Sequence, residues 1–188
     1  LEMRLKVRGT GMFMFGVALL FQLASWRATF IAPEANKLLK NPIFGVHVIL
    51  AIIGYTGFVV SALYGVFFLI LYRVLKSKRF GLFFNKLPPL ELLSGMNIHA
   101  AVVGLTSLTA SIVVGVMLSH VLDVPILSDA KFIQTVVAWG LYCALVAGYY
   151  LKGWRGHRQI YFSLGSFTLL ILSTAIVAHM FDTFHKFN

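Results

Sequence analysis

Five blocks of apolar residues, each long enough to cross a bilayer, are separated by short polar or basic connections. A hydrocarbon layer of ~30 Å needs ~20 helical residues at ~1.5 Å rise each. The blocks fall near residues 10–30, 44–72, 95–121, 132–151 and 160–181. With 59% hydrophobic and only 12% charged residues, well below the roughly one quarter charged that soluble domains carry, the expected fold is all-α. It is a polytopic transmembrane helix bundle of about five helices, read as a single transmembrane domain over 1–188. The second block exceeds the span by about two turns and is expected to tilt or project from the membrane.

The connections set an orientation. Arg4, Lys6 and Arg8, the stretch from Arg73 to Lys86, and the turn Lys152, Arg155, Arg158 lie on one side when the loops are alternated, and the other side is poorer in basic residues. The positive-inside rule therefore predicts a cytoplasmic N-terminus and an outer C-terminus, in a prokaryotic inner membrane or an organellar equivalent. The net charge of +10 is accounted for by these clusters, so nucleic acid is not an expected partner. The chain begins at Leu1, and "LEMRLKVRG" is too interrupted for a complete signal peptide, so a preceding N-terminal part is expected.

Close helix contacts are expected where small residues recur, at Gly57, Ser61 and Gly65 in the second block and at Gly104, Ser111 and Gly115 in the third. The lone Cys143 reads as a small core residue without a disulfide or thiolate-metal role. There is no HExxH, no P-loop, no GxSxG and no Asp or Glu within a span, so the sequence carries no visible catalytic constellation.

What it carries is histidine at the helix ends. His47, His120, His179 and His185 fall at the predicted outer face, and His99, at the predicted start of the third helix, and His157 at the cytoplasmic face. A lone interfacial histidine is usually hydrogen-bonded to water or a headgroup; four on one face point to a functional role. Imidazole is a common axial ligand of haem iron, and ionisable groups at membrane helices are functional candidates by default. Phe30, Phe44, Phe181, Phe184 and Phe187 lie near enough to wall an apolar macrocycle, although aromatic belts occupy that depth in any membrane protein. Asp182 reads as a solvated helix-end charge in preference to a group orienting His179.

The segment "NPIFGVHVILAIIGYTGFVVSALYGVFFLILYRVL" (41–75), with a histidine opening a helix, a Gly-Tyr pair and a basic end, resembles the CcsA-like cytochrome c assembly family. So does "SDAKFIQTVVAWGLYCALVAGYYLKGWRGHR" (128–158), through the spacing of Asp129, Lys131 and Trp139 and the run "GWRGHRQ". The resemblance covers about 41–188. It places His47 and His185 on the family's two external histidines, implicated in holding haem iron in a bis-histidine, non-covalent b-type site, with His120 and His179 as further candidates. "HVLDVPILSD" lacks the Trp-Gly-x-x-Trp-x-Trp-Asp motif of the haem-handling members, so the closest likeness is to the HemX-like branch. A histidine that some members carry after the following helix falls near Lys152, which leaves His99 for any inner site. Members have about eight helices, which again implies a missing N-terminal part.

The resemblance implies a haem-binding membrane protein that positions haem for cytochrome assembly at the outer face, with haem, lipid and cytochrome c assembly partners or other membrane subunits as its contacts. The alternatives are a b-type cytochrome or accessory subunit of an electron-transfer complex, and a cofactor-free structural subunit.

Overall fold

The computed structural model describes residues 42–78, 87–122 and 129–181, excepting the side chains of 122 and 178–181. Four helices make up these residues: α1 (Pro42–Ser77), α2 (Leu90–Leu122), α3 (Ala130–Leu151) and α4 (His157–Phe181). All four are long and apolar enough to cross a membrane. The first apolar block, 10–30, lies outside the described residues.

Local chemistry explains the boundaries. Pro42 opens α1 at a first-turn position where its missing N–H costs nothing. At 36 residues α1 is ~54 Å long by helical rise, which matches the expected overrun. α2 begins at Leu90, directly after Pro88-Pro89, with the Leu93 N–H donating to the Pro89 carbonyl at 3.0 Å. That is five residues before the apolar block suggests, because a helix starts where the prolines release the backbone and not where hydropathy rises. Asp129 caps α3, its carboxylate accepting from the Lys131 N–H at 2.8 Å. Between α3 and α4, Gly153 and Gly156 take positive φ values of 64° and 59°, a conformation a side chain would oppose.

α1 and α2 pack closely along their lengths, α3 pairs with α4, and α4 also lies against α1. The small-residue expectation holds at the α1–α2 seam. A Cβ on Gly57 would lie 2.5 Å from the Cα of Gly104, and one on Gly104 would lie 2.8 Å from the Gly54 carbonyl oxygen. Ser61 is fully buried, and Gly65 faces the side chain of Leu164.

Two apolar clusters fill the bundle. The central one is built around Phe58 and Tyr142, whose rings stack at 3.6 Å and 7°, with Ile98, Leu108 and Leu145. The other joins Phe67, Phe68 and Leu71 to Leu87, Leu93 and Ile160 at the end where the basic turns lie. Between the helices at that end sits a buried polar knot. Asn97 Nδ2 donates to the Ser61 carbonyl at 2.7 Å and to Ser163 Oγ at 2.9 Å, and Gln159 Nε2 donates to Asn97 Oδ1 and to the Ser94 carbonyl, both at 2.8 Å. Ser94 Oγ donates back to Gln159 Oε1 at 2.8 Å. Both amides are fully buried. Burial of an unpaired amide in hydrocarbon is costly, so a knot that satisfies both also fixes how α1, α2 and α4 meet.

Candidate functional site

His47 stands in the second turn of α1, at the end of the bundle opposite the basic turns. Its Nδ1 donates to the carbonyl of Ser111 on α2 at 2.8 Å and lies 3.2 Å from Ser111 Oγ, while Ser111 Oγ donates to the His47 carbonyl at 3.0 Å. A carbonyl only accepts, so Nδ1 carries a proton, and Nε2 is the nitrogen that the neutral imidazole would offer to a metal. Metal-ligating imidazoles are held in this way, one nitrogen donating to a backbone carbonyl and the other presented to the metal. Gly115 makes room for the ring: a Cβ there would lie 2.8 Å from Cε1 and 3.0 Å from Nδ1 of His47.

The imidazole lines a cavity of about 470 Å³ between α1, α2 and α3, a size typical of small-molecule and cofactor pockets (~300–1,000 Å³). Phe44, Leu108, Ile112, Leu118 and Phe132 form its apolar walls, and the first two turns of α3 with their cap supply Asp129, Lys131 and Thr135. Tyr55 and Thr135 join hydroxyls at 2.9 Å across the cavity from α1 to α3. Trp139 extends the tie between helices, its indole N–H donating to Thr109 Oγ1 at 2.9 Å. Among the described residues the cavity lining is mostly apolar, with one oriented imidazole, one ammonium and one carboxylate at its borders.

The other histidines separate. His120 is exposed near the end of α2 and does not line the His47 cavity. His179 lies in the last turn of α4, its side chain outside the description, and His185 lies outside the described residues, as does Asp182. Among the described residues no three His, Cys, Asp or Glu side chains converge as a metal site would require.

His99 is not at the start of its helix. Because α2 begins at Leu90, His99 sits nine residues in, or ~14 Å along the axis. It borders a second, apolar groove of about 450 Å³ between α1 and α2, lined also by Ile52, Ile53, Val60 and Met96.

His157 opens α4 and is enclosed by aromatic rings, edge-on to Tyr72 at 4.1 Å and to Phe68 at 5.4 Å. The residues around it are similarly committed. Trp154 packs on Gly148, where a Cβ would collide with the indole; Arg155 lies 3.4 Å above the Tyr149 ring, and Arg158 lies 4.5 Å from the Trp154 ring. The sequence reading passed over Asn97 and Gln159. The available signal was an amide inside, or at the edge of, a block otherwise built of apolar and small residues.

Comparison with known proteins supplies the family. The chain matches the family described as "Cytochrome C assembly protein" over residues 3–185. Inner membrane protein YpjD of Escherichia coli K12 is 30% identical over 147 residues, covering 78% of this chain and 55% of that protein. Protein HemX of Bacillus subtilis is 24% identical over 151 residues, covering 80% and 54%. The chain therefore spans about half the length of the curated relatives it matches. No solved structure matches it. Four membrane-length helices, with matched sequence running through all of them, make this chain a member of the cytochrome c assembly protein family.

Proposed function

We infer that the protein binds haem at the outer face of a prokaryotic inner membrane, or its organellar equivalent, and positions it for cytochrome assembly. The observation that supports this best is the state of His47. Its Nδ1–H is held by the Ser111 carbonyl at 2.8 Å, its ring is seated on Gly115, and the imidazole lines a mostly apolar cavity of about 470 Å³. That donor set fits haem iron, for which a neutral imidazole is a usual axial ligand. When bound there, a haem supplies the iron that His47 would hold; the chain's own part is to fix the imidazole, shield the macrocycle and leave an opening at the cavity mouth.

His185 is the second ligand in this reading, on the strength of its place in the family resemblance, with His179 and His120 as the alternatives. The partners are haem, lipid and cytochrome c assembly proteins. A relative described as an inner membrane protein supports the location, and the cytochrome c assembly family supports the ligand class.

The test is to purify the full chain in detergent, quantify haem, and titrate the haem-free protein with hemin while recording the Soret band and the reduced-minus-oxidised spectrum. A saturable Soret shift with low-spin bands is expected, weakened at least about tenfold in His47→Ala, the loss of a metal–ligand bond and its orienting shell. Wild-type protein that neither carries nor takes up haem, or a His47→Ala protein that binds as wild type does, overturns the reading.

A further inference from the structure

The second groove, between α1 and α2, has a volume of about 450 Å³ and shares no lining residue with the His47 cavity. Its walls are almost wholly hydrocarbon, interrupted by His99 and Thr56 and bounded by Tyr64 at one end. Ile52, Ile53 and Val103 are exposed along it, as are His99 and Thr56. Both helices are membrane spans, so a groove open along these residues opens to lipid.

The register of the two helices fixes the depth of its polar groups. α1 and α2 run antiparallel, with Asn97 bonded to the Ser61 carbonyl, Gly57 against Gly104 and, farther on, His47 bonded to Ser111. His99 is thereby placed near the level of Val59, and Thr56 about one turn, ~5 Å, farther from the basic end. Asn97 is also tied to Gln159, two residues after His157, which sets His99 within ~10 Å of the basic turn by helical rise. Among the described residues the His99 imidazole has no hydrogen-bond partner. An imidazole left unmet at this depth is costly, and an ionisable group on a membrane helix is a functional candidate by default.

An imidazole N–H and a hydroxyl one turn apart, in an otherwise apolar groove, suit a ligand that is apolar overall and carries two separated acceptors. A phospholipid carries its strongest acceptors in an anionic headgroup, which the basic turn would draw away from the groove. A quinone carries two carbonyl oxygens at opposite edges of a flat ring, on a hydrocarbon tail. We propose that this groove binds a lipid-soluble quinone. One carbonyl accepts from His99 and the other from Thr56, and the tail lies along Ile52 and Ile53. The site is independent of the haem reading of the His47 cavity.

The experiment uses the full chain in phospholipid nanodiscs with decylubiquinone as the probe. Bound quinone is extracted and measured against empty nanodiscs, and the same titration is run with the dimethyl ether of the reduced probe, which lacks both carbonyls. The variants are His99→Leu, His99→Gln, Thr56→Val and Ile53→Trp. All three positions are exposed, and thermal unfolding in detergent checks that each variant keeps the fold. Saturable binding above the empty-disc level is expected for the quinone alone. His99→Leu should weaken it roughly tenfold, the scale of one lost hydrogen bond in an apolar site, and Thr56→Val by a smaller factor. His99→Gln, which restores a donor, should recover most of the affinity, and Ile53→Trp, which fills the groove, should abolish binding. No quinone above the empty-disc level, equal binding of the ether, or wild-type binding by both His99→Leu and Ile53→Trp overturns the proposal.

Discussion

Two glycines show how the same substitution has opposite consequences. At Gly115 an added methyl meets the far end of a side chain, the His47 ring, at 2.8 Å. The imidazole can rotate away, so Gly115→Ala is expected to unfold at nearly the wild-type temperature while losing the Nδ1 bond to Ser111 and, with it, hemin affinity by roughly tenfold, the scale of an orienting contact to a metal ligand. Ser111→Ala keeps the carbonyl that accepts from Nδ1 and should stay within about twofold of wild type, since the two hydroxyl contacts it removes, to Nδ1 and to the His47 carbonyl, are not the bond that orients the ring. At Gly57 the added methyl meets backbone, the Gly104 Cα at 2.5 Å, which has nowhere to go. Gly57→Ala should lower stability by about 1–3 kcal/mol, as overpacking does, measured by thermal unfolding in detergent with the hemin titration as a control. Both glycines stood out in the sequence as small residues in apolar blocks. Which one serves a seam and which a ring depends on the partner helix, and one-dimensional spacing carries no information about that.

At the scale of helices, the Asn97–Gln159 knot decides how α1, α2 and α4 assemble. Asn97→Leu takes one acceptor from Gln159, which keeps its bonds to Ser94, and Gln159→Leu takes the donor from Asn97 Oδ1, since the two groups share a bond at 2.8 Å. Each single change is expected to cost about 1–2 kcal/mol, the upper range for interhelical hydrogen bonds in membranes. The double variant should cost clearly less than the two singles together, because the second change removes a group whose shared bond is already lost. A thermal or steric-trapping unfolding cycle on the four proteins measures this; strict additivity would mean the amides act separately. The helices themselves were legible, since blocks of apolar residues between prolines and basic turns mark each described span. The start of α2 was legible only in part. Pro88-Pro89 gave the true boundary, hydropathy a later one, and the difference moved His99 from the membrane surface to a groove within the bundle's length. The knot was not legible as a unit, since Asn97 and Gln159 lie 62 residues apart and only the turn at Gly153 and Gly156 returns α4 to α2.

For the molecule as a whole, the run "GWRGHRQ" takes on a different meaning from the one its family likeness suggests. Gly153 and Gly156 supply positive φ, Trp154 seats on Gly148, Arg155 covers Tyr149, His157 fits between Phe68 and Tyr72, and Gln159 enters the knot. The run closes one end of the bundle, and the candidate chemistry sits at the other, around His47 and Lys131. The fold therefore gathers Arg73 and Lys76 of α1, and Lys78 just after it, with Lys152, Arg155 and Arg158 at a single end, through the contact of Tyr72 with His157. The positive-inside rule predicts a cytoplasmic position for that end, which would leave the His47 cavity facing outward. Single cysteines placed at Lys78, Arg155 and Asp129 in a Cys143→Ser background test it in intact cells with a membrane-impermeant maleimide. Labelling at position 129 alone, with 78 and 155 reacting only after lysis, is the expected pattern. The reverse pattern would turn the cavity toward the cytoplasm.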